Sequence, residues 1–115
     1  MQHERDRDIL QQIIFYCDEI DKTINRFGDD YDIYKNDSVY VHATALCVLQ
    51  IGELTARLSD CFKNKYIEMP WVQIKALRNL VAHQYGKIDD ESLWETITDD
   101  IPKLRKYSAS ILKMI

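Results

Sequence analysis

Apolar side chains recur at three- and four-residue steps through most of the chain, and that rhythm predicts helices. In residues 4–27, Ile9, Ile13, Tyr16, Cys17, Ile20, Ile24 and Phe27 form one stripe, with Asp8, Gln11, Gln12, Asp18, Asp21 and Lys22 on the other side. A helix with 3.6 residues per turn brings such positions to one face. Gly28 is the expected stop, because glycine accepts the left-handed backbone that closes a helix C-terminus. Residues 28–37 carry Asp29, Asp30, Asp32 and Asp37 against Lys35 and read as a solvated connector.

The second segment covers residues 38–62, with Asp37 or Ser38 as N-cap. Val41, Ala45, Val48, Leu49, Gly52, Ala56 and Phe62 mark its stripe, and Leu46, Ile51, Leu54 and Leu58 widen it. A helix apolar on more than one side is central in a bundle or lies at a subunit interface. Ala43, Ala45, Gly52 and Ala56 leave room for a close neighbour. The run 39–58 is interrupted by His42, Gln50, Glu53 and Arg57, which argues against a membrane span.

After a polar connector at 63–69, a third helix is expected over 70–84. Pro70 stands in its first turn, Trp71, Ile74, Leu77, Leu80 and Val81 form its stripe, and Gly86 lies beyond its end. The fourth segment, 90–115, opens on Asp89 and Asp90, with Leu93, Trp94 and Ile97 at helical spacing. Pro102 cannot sit quietly inside a helix, so a split is expected at 99–101. The last helix then turns Leu104, Tyr107, Ile111 and Leu112 inward. The pattern describes an all-α, up-and-down bundle of four to five helices in one domain, residues 1–115.

Composition agrees. Three Gly, two Pro, 46% hydrophobic and 30% charged residues exclude a disordered chain and disfavour a turn-rich β fold. Cys17, Cys47 and Cys61 show no Cys-x-x-Cys spacing and read as helix-buried core thiols in a reducing, cytoplasmic compartment. Residues 1–8 are charged, with no signal-peptide segment behind them. The net charge of −4 sets a condition: action on RNA would require positive charge concentrated in one place.

Of three histidines, His3 lies in the charged N-terminal tail and reads as exposed. His42 starts the second segment and reads as a surface or interface residue. His83 closes the third segment within Arg78-Asn79-Leu80-Val81-Ala82-His83-Gln84-Tyr85. Five residues of helix advance by roughly 140° beyond one turn, so Arg78 and His83 share a face only if the long arginine or the helix end adapts. Asn79, four residues before His83, can reach and orient the imidazole. A neutral imidazole can take the proton of a ribose 2′-hydroxyl, and a guanidinium can hold the phosphate it attacks. No His-x-x-x-His or carboxylate cluster has metal-ligand spacing, so neither metal nor cofactor is expected. These residues alone leave a catalytic and a purely structural reading open.

The stretch Arg78-(four residues)-His83-x-Tyr85 resembles the signature of HepT-like toxins of the HEPN superfamily. Ile51-Gly52-Glu53, Met69-Pro70-Trp71 with Ile74, Ile88-Asp89, Trp94 and Ile101-Pro102 with Leu104 follow the family pattern in order, over residues 39–104; the first helix fits in type. The resemblance implies a dimeric HEPN-like bundle with Arg78 and His83 of both subunits in one cleft, doubling Lys75, Arg78 and Lys87. It implies a metal-independent endoribonuclease acting on tRNA or mRNA, with His83 as general base and Arg78 as phosphate and transition-state stabiliser. It also implies a type II or type VII-like toxin–antitoxin pair, whose partner is a minimal nucleotidyltransferase that transfers AMP to Tyr85. The alternative is a non-catalytic helical module that docks a nucleotidyltransferase and presents substrate to it.

Overall fold

A computed structural model of the chain describes residues 2–77, 79 and 89–115. It is all-α: among the described residues there is no strand. Helix α1, Gln2–Phe27, runs as the apolar stripe requires, with Ile9, Ile13, Cys17 and Ile20 buried and Tyr16, Ile24 and Phe27 packed at the core's edge. Gly28 ends it at φ +123°, donating its N–H to Ile24 O at 2.8 Å.

The acidic connector is more structured than its composition suggested. It contains α2, Tyr31–Lys35, capped by Asp30, which accepts from the Asp32 N–H; Asp37 caps the next helix by accepting from the N–H groups of Val39 and Tyr40. Two of its four aspartates therefore satisfy helix N-termini. Tyr34 of α2 is fully buried and shares a 2.8 Å hydrogen bond with Thr44. Its ring packs with those of Tyr40 and Trp94 at 4.7 and 4.9 Å.

The second segment is two helices rather than one. Helix α3, Ser38–Ala56, stops without glycine or proline, and α4, Asp60–Lys65, restarts after Ser59. Ser59 Oγ accepts from the Phe62 N–H, while Asp6 of α1 accepts from both the N–H and the hydroxyl of Ser59, at 2.9 and 2.7 Å. Side chain–backbone bonds of this kind compete with the helical ladder. A partner 53 residues away in sequence is what the apolar pattern could not reveal. The break also moves Cys61 to the surface, contrary to its expected burial, while Cys17 is buried and Cys47 half-buried. Ile51, Leu54 and Leu58 are buried as the wide stripe implied, but Leu46 is 57% exposed. By length and composition α3 could cross a membrane, yet more than half of it is buried within the bundle.

Helix α5, Trp71–Ala76, begins after Pro70, which occupies the N-cap position rather than the first turn. Leu80, Val81 and Gly86, assigned above to its stripe and its end, lie outside the described residues, as does the side chain of His3. Helix α6, Asp90–Glu95, is capped by Asp89, which accepts from the N–H and hydroxyl of Ser92. The split expected at 99–101 is instead a π turn, Thr96–Asp100, that leads without a break into α7, Ile101–Met114. Pro102 has no N–H and would clash in a straight α-helix. The wider turn absorbs this: Ile101 N–H reaches Thr96 O, five residues back.

Helix α1 packs on α3 and α7, α3 on α5, and α2 on α3 and α6. Burial of side chains such as Ile13, Ile51 and Leu104, each at most 1% exposed, contributes about 1.5–3 kcal/mol apiece. Leu10, which the sequence pattern left unassigned, is fully buried as well.

Candidate catalytic helix

Helix α5 leads into the Arg78–Tyr85 signature, and its start is fixed by Trp71. The buried indole donates to the carbonyl of Tyr66, the C-cap of α4, at 2.7 Å. Its ring lies 5.7 Å from Phe62 and 6.3 Å from Tyr107. Burying an indole without a partner for its N–H would be costly, so Tyr66 O sets both depth and orientation. Ile74 is buried and Leu77 half-buried, while Val72, Gln73, Lys75 and Ala76 face outward.

Asn79 is helical and exposed. It follows Lys75 by four residues and so continues the same outward face. Arg78, His83 and Tyr85 lie outside the described residues, as do Gln84 and Lys87, and so does the expected contact between Asn79 and His83. His42 is exposed on α3, as its reading as a surface residue requires. Among the described residues no three His, Cys, Asp or Glu side chains form a metal-binding group.

Beside α5 runs a half-open groove of about 520 Å³. One wall is Gln73 and Ile74 of α5 with its C-cap Leu77; the other is Lys103, Lys106 and Tyr107 of α7; Met69 and Pro70 also line it, as do the acidic Glu68 and Asp100. The Tyr107 hydroxyl donates to Glu68 Oε2. Desolvation, reinforced by that carboxylate, pushes the Tyr107 phenol up to about 12, and the same bond holds the Glu68 carboxyl below its usual range. At the far side of the signature, Asp90 accepts from Tyr31 OH at 3.0 Å, tying α6 to α2.

Charge along the chain is segregated around this groove. Residues 69–88 and 101–115 contain no Asp or Glu, yet hold seven of the fifteen basic residues: Lys75, Arg78, Lys87, Lys103, Arg105, Lys106 and Lys113. All nineteen acidic residues lie elsewhere. Helices α5 and α7, whose side chains form the two walls, belong to these two acid-free stretches. Lys103 and Lys106 were missed by motif reading; the absence of acids after Asp100 was the signal that could have found them.

Residues 13–111 match the family model described as ribonuclease HepT-like. The chain belongs to this family. The matched region takes in most of α1 as well as the whole Arg78–Tyr85 signature. "Putative RNase MJ0125" of Methanocaldococcus jannaschii is 32% identical over 105 residues, covering 90% of this chain and 88% of that protein. "Putative RNase TTE0752" of Caldanaerobacter subterraneus is 28% identical over 107 residues, covering 93% and 94%. "Probable ribonuclease HepT" of Thermococcus cleftensis is 34% identical over 55 residues, covering 48% and 50%. No solved structure matches the chain.

Proposed function

We propose that this chain is a metal-independent endoribonuclease toxin of a HEPN/nucleotidyltransferase toxin–antitoxin pair, of type II or a type VII-like arrangement. It acts in the cytoplasm as one helical domain over residues 1–115. The observation that carries the reading is an intact Arg78-(four residues)-His83-x-Tyr85 within a chain that matches the ribonuclease HepT-like family over residues 13–111.

In this reading a tRNA or mRNA strand presents a scissile phosphate to Arg78. Neutral His83, oriented by Asn79, takes the 2′-hydroxyl proton. The 2′ oxygen attacks phosphorus, Arg78 stabilises the added charge, and the P–O5′ bond breaks. The 5′ oxygen leaves and is protonated. The products are a 2′,3′-cyclic phosphate and a free 5′-hydroxyl, with no redox change and no cofactor. A homodimer doubles a sparse catalytic set by two-fold symmetry. The minimal nucleotidyltransferase antitoxin silences the toxin by moving AMP onto Tyr85, placing a phosphodiester charge where RNA phosphate would bind.

The test is cleavage of RNA by purified protein in excess chelator. Activity that leaves cyclic phosphate ends, and that disappears in both His83→Ala and Arg78→Ala with helicity unchanged, supports the reading. Cleavage that survives His83→Ala or needs a divalent ion overturns the mechanism. Efficient docking of a nucleotidyltransferase without any RNA cleavage would favour the non-catalytic module instead.

A further inference from the structure

From the α5–α7 groove we infer a binding subsite for an unpaired nucleotide flanking the scissile phosphate, with Lys103 and Lys106 holding its phosphate. This inference rests on the ribonuclease reading and extends it to a surface outside the signature. Three observations carry it.

The first is position. Leu77 lines the groove and directly precedes Arg78, and consecutive Cα atoms are only about 3.8 Å apart. The proposed phosphate-holding residue is thus bonded directly to a residue of the groove's lining, which makes the groove a candidate for a neighbouring nucleotide. The second is shape and lining. A volume of about 520 Å³ lies within the usual range for small-ligand sites, roughly 300–1,000 Å³. Met69, Ile74, Leu77 and the Tyr107 ring offer apolar surface on which a base can stack, as single-stranded RNA readers do.

The third is charge. Lys103 and Lys106 are exposed on the acid-free α7, across the groove from the acid-free α5. The two carboxylates on the rim do not cancel them equally. Glu68 is engaged by Tyr107, whereas Asp100 lines the groove three residues before Lys103 and offsets part of its charge. Lys103 makes an exposed contact to Asp99 at 3.3 Å, and exposed pairs are worth little and yield readily to a phosphate.

The experiment uses the full chain carrying His83→Ala, so that RNA survives, with a fluorescein-labelled single-stranded RNA of about eight nucleotides, a length within known single-strand site sizes. Anisotropy is read over a salt series. Lys103→Glu/Lys106→Glu should weaken binding by roughly tenfold or more and lower the slope of log K against log salt by about 1.4, the release expected for two single-strand phosphate contacts. Lys103→Gln/Lys106→Gln should move both in the same direction by less. Lys113→Glu, on the same helix but outside the groove, should leave both nearly unchanged. Equal losses in Lys113→Glu and the groove variant would mean a diffuse field and overturn the subsite. So would a groove variant that binds RNA normally but no longer captures the nucleotidyltransferase, since the groove would then be a protein-docking surface. The parent chain's cleavage assay separates the two readings. Cleavage with a groove variant of unchanged KM sinks the subsite alone, whereas lysine-dependent binding without cleavage by the parent sinks the ribonuclease reading alone.

Discussion

Asp6 is the clearest place to test how a contact distant in sequence sets the α3–α4 break. Its carboxylate is 5% exposed and accepts from the N–H and the hydroxyl of Ser59, fixing the α3–α4 break to α1. Asp6→Ala removes both bonds. Hydrogen bonds to a charged group contribute about 1.5–3 kcal/mol each when fully buried. Ser59 is only half-buried, so water recovers part of the loss, and a total of about 2–4 kcal/mol is expected. For a chain of this length 1 kcal/mol corresponds to roughly 4 °C in Tm, which places the fall near 8–16 °C. Asp6→Asn keeps an acceptor for the Ser59 N–H and should lose about half as much. Ser59→Ala removes the α4 cap and should cost about 1 kcal/mol. Urea melts of the two alanine variants and their double variant give the coupling between the residues, expected near 1 kcal/mol or more because they are in direct contact. If Asp6→Ala costs less than about 0.5 kcal/mol, a surface-like value, the break is held by other contacts and the reasoning fails.

Further outcomes follow from the same structure. Among the described residues Thr55 Oγ1 and Ser108 Oγ are buried without a hydrogen-bond partner, so Thr55→Val and Ser108→Ala should each stabilise the fold in urea melts, by about 0.5–1.5 kcal/mol. Burial pushes Cys17 and Tyr34 up to about 12, from ordinary values of 9.0 and 10.0. Each native pKa is raised, so the stabilisation is complete below the unfolded pKa and falls as pH climbs from about 9 toward 12. Melts across that window should show steady loss of stability, and a flat profile would contradict the burial. With the partner nucleotidyltransferase and ATP, mass spectrometry should show added AMP on the parent chain and none on Tyr85→Phe, which should keep its ribonuclease activity. Equal modification of both would place the acceptor elsewhere.

Much of the fold was legible because most of its helices bury a stripe. Ile9, Ile13, Cys17 and Ile20 in α1, and Leu104 and Ile111 in α7, could be assigned inward from spacing alone. What escaped were features set by partners distant in sequence. The α3–α4 break depends on Asp6, 53 residues from Ser59, and α2 earns its place in the core through Tyr34 meeting Thr44 and Trp94. Four aspartates in ten residues looked like solvation, although two are caps whose value depends on the backbone beside them. Pro102 correctly marked an irregularity, but proline forbids only the straight helix and does not choose between a break and a wider turn. For the candidate site, spacing alone was not enough: an Arg five residues before a His is an ordinary pair, and it is the family match over residues 13–111 that gives the pair its context.

The remaining tension was electrostatic, since a chain of net charge −4 is a poor general ligand for RNA. Net charge is the wrong quantity to compare, because screening confines a phosphate's attention to charges within about 8–10 Å. Within residues 69–88 and 101–115 the local balance is positive throughout, and α5 and α7 bring the described parts of these stretches to opposite walls of one groove. Several acids have other duties: Asp30, Asp37 and Asp89 cap helices, Asp6 holds Ser59, and Asp18 pairs with Arg105 at 2.7 Å. That last pair draws Arg105 away from the groove toward α1, leaving Lys103 and Lys106 as the α7 cations on its wall. Glu68 and Asp100 still line the groove beside Lys103 and Lys106, so the proposed RNA path depends on the two lysines together with the cations of residues 69–88. RNA binding of the kind proposed should therefore weaken steeply with salt while remaining confined to that path, behaviour a uniformly basic protein would not show.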